Sequence, residues 1–268
     1  MAAVLENLRK DVRMQKESDQ QMSTIWFLVY LLPIIVGLVA SAFSIISLID
    51  FFASIDPTAP YDIAYDNFSL EFASTWMLVG LTSLVNIVVT VILTYMLVNR
   101  RYTHFKRQKL LTEDIMSAVS WLAKKKEVDV EVGLVVLERT KREADMEEVD
   151  KTAILWAILS AFVPFVNLYV YYFLMNDFYR HEHREDGFWE DTSKTLDKLG
   201  VNFSVPQRTQ TIPNRSFVLY LILAVITLGM FYVYWIYTLI KDPNSHFNYH
   251  TQVENQLITA LEPALEQA

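Results

Sequence analysis

Between Lys16 and Arg100 lie 83 consecutive residues without a lysine or an arginine, and inside them sit two long apolar runs, residues 25–52 and 74–98. A helix needs roughly 20 apolar residues to cross a bilayer core of about 30 Å, so each run is long enough to span. The connector between them, residues 53–73, carries Asp56, Asp62, Asp66 and Glu71 and no base. Cytoplasmic segments carry the excess of Lys and Arg, so this acidic connector is expected outside. Arg9, Lys10, Arg13 and Lys16 before the pair, and Arg100, Arg101, Lys106, Arg107 and Lys109 after it, are then expected inside. The first run is also too long, and begins too late, for a cleaved signal sequence. Composition agrees with a membrane protein: 53% of the 268 residues are hydrophobic and the mean hydropathy is +0.22.

Two further apolar stretches, residues 153–175 and 216–240, carry Pro164 and Gly229 near their centres. As plain helices they give a four-span bundle, which leaves six of the 23 Lys and Arg, all within 177–215, on the outside. If each stretch breaks at its proline or glycine and returns, every Lys and Arg lies on one side. Broken backbone at membrane depth must be covered by protein or face water, so such hairpins have to pack on the spanning pair or on other subunits. The expected fold is therefore all-α and integral to the membrane: two spanning helices, two Pro/Gly-broken re-entrant hairpins in preference to a four-span bundle, and cytoplasmic amphipathic helices.

Self-similarity supports the one-sided arrangement. With Tyr95, Tyr172 and Tyr237 in register, a leucine follows two residues later (Leu97, Leu174, Leu239) and a histidine nine residues later (His104, His181, His246). Asp177 also matches Asp242, and Pro164 falls opposite Gly229. An internal repeat of this kind implies that the three tails share one face. Within the last copy, the run Thr227-Leu228-Gly229-Met230-Phe231-Tyr232-Val233-Tyr234-Trp235-Ile236-Tyr237 resembles the signature of a prokaryotic integral-membrane domain family of unknown function, whose segments read Thr-x-Gly-Ile-Tyr-x-x-Tyr-Trp-x-Tyr. Residues 160–175 resemble a weaker copy. The resemblance implies a tandem membrane architecture and a prokaryotic source, and it implies no chemistry.

The expected organisation is a cytoplasmic N-terminal helix (1–24), the spanning pair with its external loop (25–98), and a cytoplasmic helical region (99–152). A broken segment with a charged tail (153–200), a connector (201–215), and a second broken segment with an amphipathic C-terminal helix (216–268) follow. Leu111, Ile115, Ala118, Val119 and Leu122 recur at helical spacing, which carries the helix after Val98 on to Lys124. Val128, Val132, Val135 and Val136 fit a second amphipathic helix to about Met146, with a short strand before Gly133 as the alternative. Gly200 suits the position just past a helix end. Phe247, Val253, Leu257, Leu261 and Leu265 mark the inner face of the last helix.

The chemistry is bounded mainly by exclusion. The closest two of the six glycines, Gly187 and Gly200, stand 13 apart, so no glycine-rich phosphate loop can be written. Without cysteine there is no disulfide, thiolate nucleophile or Cys-based metal site. No ionisable group sits mid-way along an apolar stretch, which argues against proton pumps and ion-coupled transporters. A net charge of −8 argues against nucleic acid as a partner. All five histidines fall in the three tails: His104, His181, His183, His246 and His250. His246, His250 and Glu254 stack at i, i+4 and i+8, and with His104 or His181 and Glu113 or Glu190 they form an imidazole-and-carboxylate set suited to zinc, iron or manganese. The same placement suits histidine at a bilayer interface, bonded to helix-end carbonyls or lipid phosphates. The aromatic runs around Tyr169–Phe173 and Phe231–Tyr237 fit an interfacial belt.

The expected function is a non-enzymatic, multi-pass cell-membrane protein with both termini cytoplasmic. It acts in assembly, as a homo-oligomer or an accessory subunit of a larger membrane complex, with lipid and protein as partners and no cofactor expected. The alternatives are a small-solute channel lined by the breaks at Pro164 and Gly229, and a metal-dependent membrane enzyme built on the histidine tails.

Overall fold

The computed structural model describes residues 2–54 and 61–267, and all its regular elements there are helices. They are α1 (Ala2–Ser18), α2 (Ile25–Ser54), α3 (Tyr61–Lys126), α4 (Glu131–Glu147), α5 (Ala153–Phe162), α6 (Val166–Lys198), α7 (Phe217–Ile226) and α8 (Phe231–Gln267). Helices α2 and α3 are long and apolar enough to cross a membrane. Their apolar side chains face outward: Leu32, Phe43, Phe52 and Met77 are all exposed. Such a surface is costly in water and is natural in lipid.

The acidic connector is shorter than expected, because residues 61–73 are already helical and extend α3. Asp56 lies outside the described residues, as do the side chains of Asp62, Asp66 and Glu71. At its far end α3 runs on past Val98 to Lys126, where Leu111, Ile115, Ala118, Val119 and Leu122 are fully buried. Each such leucine contributes about 1.5–3 kcal/mol by leaving water.

Both later apolar stretches fold back on themselves. After α5 the chain reverses through extended Val163, Pro164 and left-handed Phe165 (φ 67°). Trp156 then packs on Tyr169 and Phe173, with ring centroids 5.2 and 5.6 Å apart. After α7 the chain turns through Leu228 (φ 49°) and Gly229 (φ 90°). Gly229 N–H donates to Ala224 O (2.7 Å) and Leu228 N–H to Val225 O (3.1 Å). This is the Schellman pair of bonds, with Leu228 at the left-handed position, and the next residue, at φ 90°, is in backbone that glycine adopts without strain. Phe217 and Tyr220 then both lie against Trp235. The ends of each hairpin meet at one level. Arg101 bonds both Val149 O (3.2 Å), before α5, and Asp177 (2.7 Å), after the first turns of α6. Arg215, before α7, pairs with Asp242 on α8 at 2.9 Å.

α3, α6 and α8 pack side by side in matching layers. Leu97, Leu174 and Leu239 are buried in one apolar cluster. Beyond it Phe105, Phe178 and Phe247 form a second with Ile212. Farther along, Leu111 to Leu122, Phe188 to Leu196 and Val253 to Leu265 form the main core with Leu5 and Leu8 of α1. Inside α8, Pro243 has no N–H for the Leu239 carbonyl one turn back. Buried Arg100 replaces it, donating to Leu239 O and to Ile240 O.

Gly200 (φ 67°) ends α6 as expected, with Val201 N–H to Leu196 O and Gly200 N–H to Asp197 O, both 2.9 Å. α4 forms in place of the alternative strand, but with a different face inward than the valine spacing indicated. Val132, Val135 and Val136 are exposed, and Leu137 is buried with Leu134 packed beside it. Gly133 explains the rotation: it lets the α4 backbone approach Thr195 of α6, where a Cβ would lie 2.8 Å from Thr195 Cγ2.

Candidate metal centre

Between the apolar layers lies a buried polar one, and four of the five histidines are in it. His104 is on α3, His181 on α6, and His246 and His250 on α8, each at most 2% exposed. Together with Glu185 they offer five donor atoms, all within 4.8 Å of one another. His104 Nε2 is 3.1 Å from both His181 Nε2 and His246 Nε2. Glu185 closes the group, with Oε1 3.0 Å from His181 Nε2, and Oε2 2.7 Å from His250 Nε2 and 3.5 Å from His246 Nε2.

Each outward-facing Nδ1 meets a different acid. His104 Nδ1 is 2.8 Å from Asp19, His181 Nδ1 2.7 Å from Glu148, His246 Nδ1 3.1 Å from Glu182, and His250 Nδ1 3.0 Å from Glu254. Guanidiniums hold these acids in turn. Arg107 bridges Asp19 and Glu254 at 2.8 Å, Arg184 pairs with Glu148, and Arg208 with Glu182 at 3.2 Å. A ring nitrogen beside a carboxylate carries the proton, which assigns Nδ1–H to His104 and His246 and leaves their Nε2 lone pairs pointing inward, whereas His181 and His250 meet carboxylates through both nitrogens, with Glu185 at Nε2. This pairing of ligating histidine with an outer carboxylate is characteristic of metal sites.

The charges point the same way. The five carboxylates Asp19, Glu148, Glu182, Glu185 and Glu254 face three guanidiniums, Arg107, Arg184 and Arg208, which leaves two negative charges in a buried volume. Considered as side chains alone, the groups share protons unevenly. Burial pushes His104 down to about 4 in spite of Asp19, and with His250 it drives His246 well below its ordinary value. Burial also opposes charge on His181, but Glu185 and Glu148 outweigh it and raise the imidazole to about 9. His250 is raised against its burial by Glu185 and Glu254. Against its own burial, Glu185 is held far below the carboxylate range by His181 and His250. Protons on His181 and His250 would balance the charge by bonding Glu185. They leave the His104–His246 contact at 3.1 Å with two lone pairs and no hydrogen between them. A divalent cation placed among the five donors would offset both negative charges and meet the His104 and His246 lone pairs.

Of the sequence-derived candidates, His104, His181, His246 and His250 converge here. Glu254 stands behind His250, occupied by Arg107, and Glu185 supplies the inward carboxylate. Glu113 instead pairs with Lys141, Glu190 with Lys194, and His183 stacks on Tyr179 away from the cluster. Glu185 follows His181 by four residues, as His250 follows His246, so the repeat register contained the inward carboxylate. Pro164 and Gly229 form the hairpin turns. The repeat residues Tyr95, Tyr172 and Tyr237 stay at least partly exposed, above the buried Leu97, Leu174 and Leu239.

Residues 215–261 match the family model of a domain of unknown function, DUF4234. The match covers α7 and most of α8, including the Gly229 turn, His246, His250 and Glu254. No curated protein and no solved structure matches the chain.

Proposed function

We propose that this chain is a multi-pass membrane protein whose three tails are clasped on the cytoplasmic face by one divalent transition-metal ion, held by His104, His181, His246, His250 and Glu185. One observation carries the reading: four imidazole Nε2 atoms and a carboxylate converge in a buried volume while each Nδ1 lies beside its own acid. The donor set, rich in imidazole with one carboxylate, suits iron, zinc or manganese. Tetrahedral zinc bonds of roughly 2.0–2.1 Å place ligand nitrogens about 3.3–3.4 Å apart. The 3.1 Å separations and five donors fit a higher-coordinate ion better, which favours iron(II) or manganese(II). The ion's role is assembly: it joins α3 to both hairpins just beyond their apolar parts.

The same geometry supports the membrane arrangement. α2 and the apolar part of α3 span, and the α5–α6 and α7–α8 hairpins enter from the basic, cytoplasmic side and return to it. The meetings of Arg101 with Val149 and Asp177, and of Arg215 with Asp242, favour this over four spans.

Elemental analysis of the detergent-purified full chain, as isolated and after anaerobic loading with iron, manganese or zinc, tests the centre. About one ion per chain, lost in His104→Ala and His246→Ala, is expected. No retained ion under any loading would refute it. Asn202→Cys, in a chain with no cysteine of its own, should label only from the cytoplasmic side. Labelling from outside would refute the hairpin topology.

A further inference from the structure

The arrangement of donors follows the register of the three tails. His104, His181 and His246 form a nearly equilateral triangle, with ring centroids 5.1, 5.1 and 5.3 Å apart. Four residues on, one helical turn farther along each tail, stand Gln108, Glu185 and His250. Two of these, Glu185 and His250, complete the donor set. The third does not: the Gln108 amide nitrogen donates to Glu254 Oε1 (2.8 Å) and lies 2.7 Å from His250 Nδ1. Around a six-coordinate ion the three histidines would form one face and Glu185 and His250 would fill two corners of the opposite one. Among the described residues the donor set offers no atom for the third corner, on the Gln108 side.

A cavity of about 30 Å³ lies on that side, bordered by Gln108, Thr112, His181, Glu185 and Phe188. A water needs on the order of 10–15 Å³ by the same kind of measure, so the space has room for a water or a similarly small ligand. Its lining runs from His181 and Glu185 of the donor set out to the half-buried Thr140, Lys141 and Ala144 of α4. Metal sites fully enclosed by protein ligands are structural, whereas a site with one free position exchanges ligands.

We infer that the bound ion keeps one exchangeable coordination position, on the Gln108 side, open to an exogenous ligand of one or two heavy atoms such as water or a diatomic gas. This rests on the metal-centre reading above. The test uses the full-length protein loaded anaerobically with iron(II), with nitric oxide as the probe. Coordination of nitric oxide to high-spin iron(II) gives an electron paramagnetic resonance signal that neither component shows alone. The expected result is that signal in wild type and in Gln108→Ala, and its loss in Gln108→Glu, whose carboxylate reaches the free corner while iron content stays at one per chain. Wild type that holds iron but gives no signal overturns the inference and leaves the metal centre standing. Signal retained at full strength in iron-replete Gln108→Glu overturns the placement of the free corner. A chain that retains none of iron, manganese and zinc overturns both, and one that retains manganese or zinc but takes up no iron overturns the inference alone. If Gln108→Glu fails to fold, seen as loss of helical circular dichroism, Gln108→Asp and the wild-type and Gln108→Ala spectra still decide.

Discussion

Replacing Arg107 with methionine isolates what the outer layer contributes. The Arg107 side chain is 2% exposed, and its guanidinium donates to Asp19 Oδ2, to both oxygens of Glu254 and to Ser18 Oγ, each at 2.8 Å. Methionine fills a similar volume, so the loss is electrostatic rather than a void. Removing one member of a buried ion pair costs about 3–5 kcal/mol, because the remaining charge is left without a partner. Here two carboxylates are left, and both also bond proposed ligands, His104 and His250. The expected cost in the metal-free protein is therefore at least about 3 kcal/mol, and the loss in metal affinity about 10- to 100-fold. Chemical denaturation in detergent with chelator present, followed by tryptophan fluorescence, measures the first, and competition with a chromophoric chelator measures the second. Adding Asp19→Asn and Glu254→Gln to Arg107→Met removes the orphaned charges and keeps an oxygen to accept each Nδ1–H. That triple variant should regain at least half of the lost stability. A single-variant cost under about 1 kcal/mol, the scale of an exposed pair, or a triple variant no better than the single one, would refute the reasoning.

Two further outcomes follow from particular contacts. Burial first, and then the hydrogen bond and charge of Asp114, raise the Asp11 carboxyl to about 7 against the pull of Arg107 and Lys10. An acid whose folded value lies above its unfolded one favours folding only while protonated, so its contribution falls as pH rises from about 4 to 7. Asp11→Asn should thus raise the melting temperature more at pH 8 than at pH 5, and equal gains would contradict the assignment. Gly133→Ala should push α4 off Thr195 and cost about 1–3 kcal/mol, despite alanine's better helix propensity. Adding Thr195→Ala should recover most of that loss, and thermal melts of the three variants decide.

Much of the helical plan was legible because lipid, water and core each impose a plain pattern. The two candidate spans are written as unbroken apolar runs, the α3 and α8 inner faces as apolar residues at helical spacing, and the turns after α5 and α7 as Pro164 and Gly229. The α4 face was misread, since Val132, Val135 and Val136 satisfy a spacing rule while the glycine at 133 decides which side can approach α6. At the site, the histidines could be found because imidazole is rare and its register repeated. Glu185 was hidden among many acids on a charged tail, and its role depends on which helix face turns inward. The outer acids were harder still: Asp19 and Glu148 lie in short links, and nothing local to them marks the ring they support.

The donors also have long separations along the chain. His104 meets His181 across 77 residues and His246 across 142. Closing loops of that length is entropically costly and cannot precede placement of the membrane segments between them. A chain whose second hairpin is unplaced presents His104, His181 and Glu185 at most, without the two α8 imidazoles and the Glu254 that steadies Arg107. If the proposed ion binds, its tight retention would therefore report that both hairpins are in place, a checkpoint on assembly of the chain.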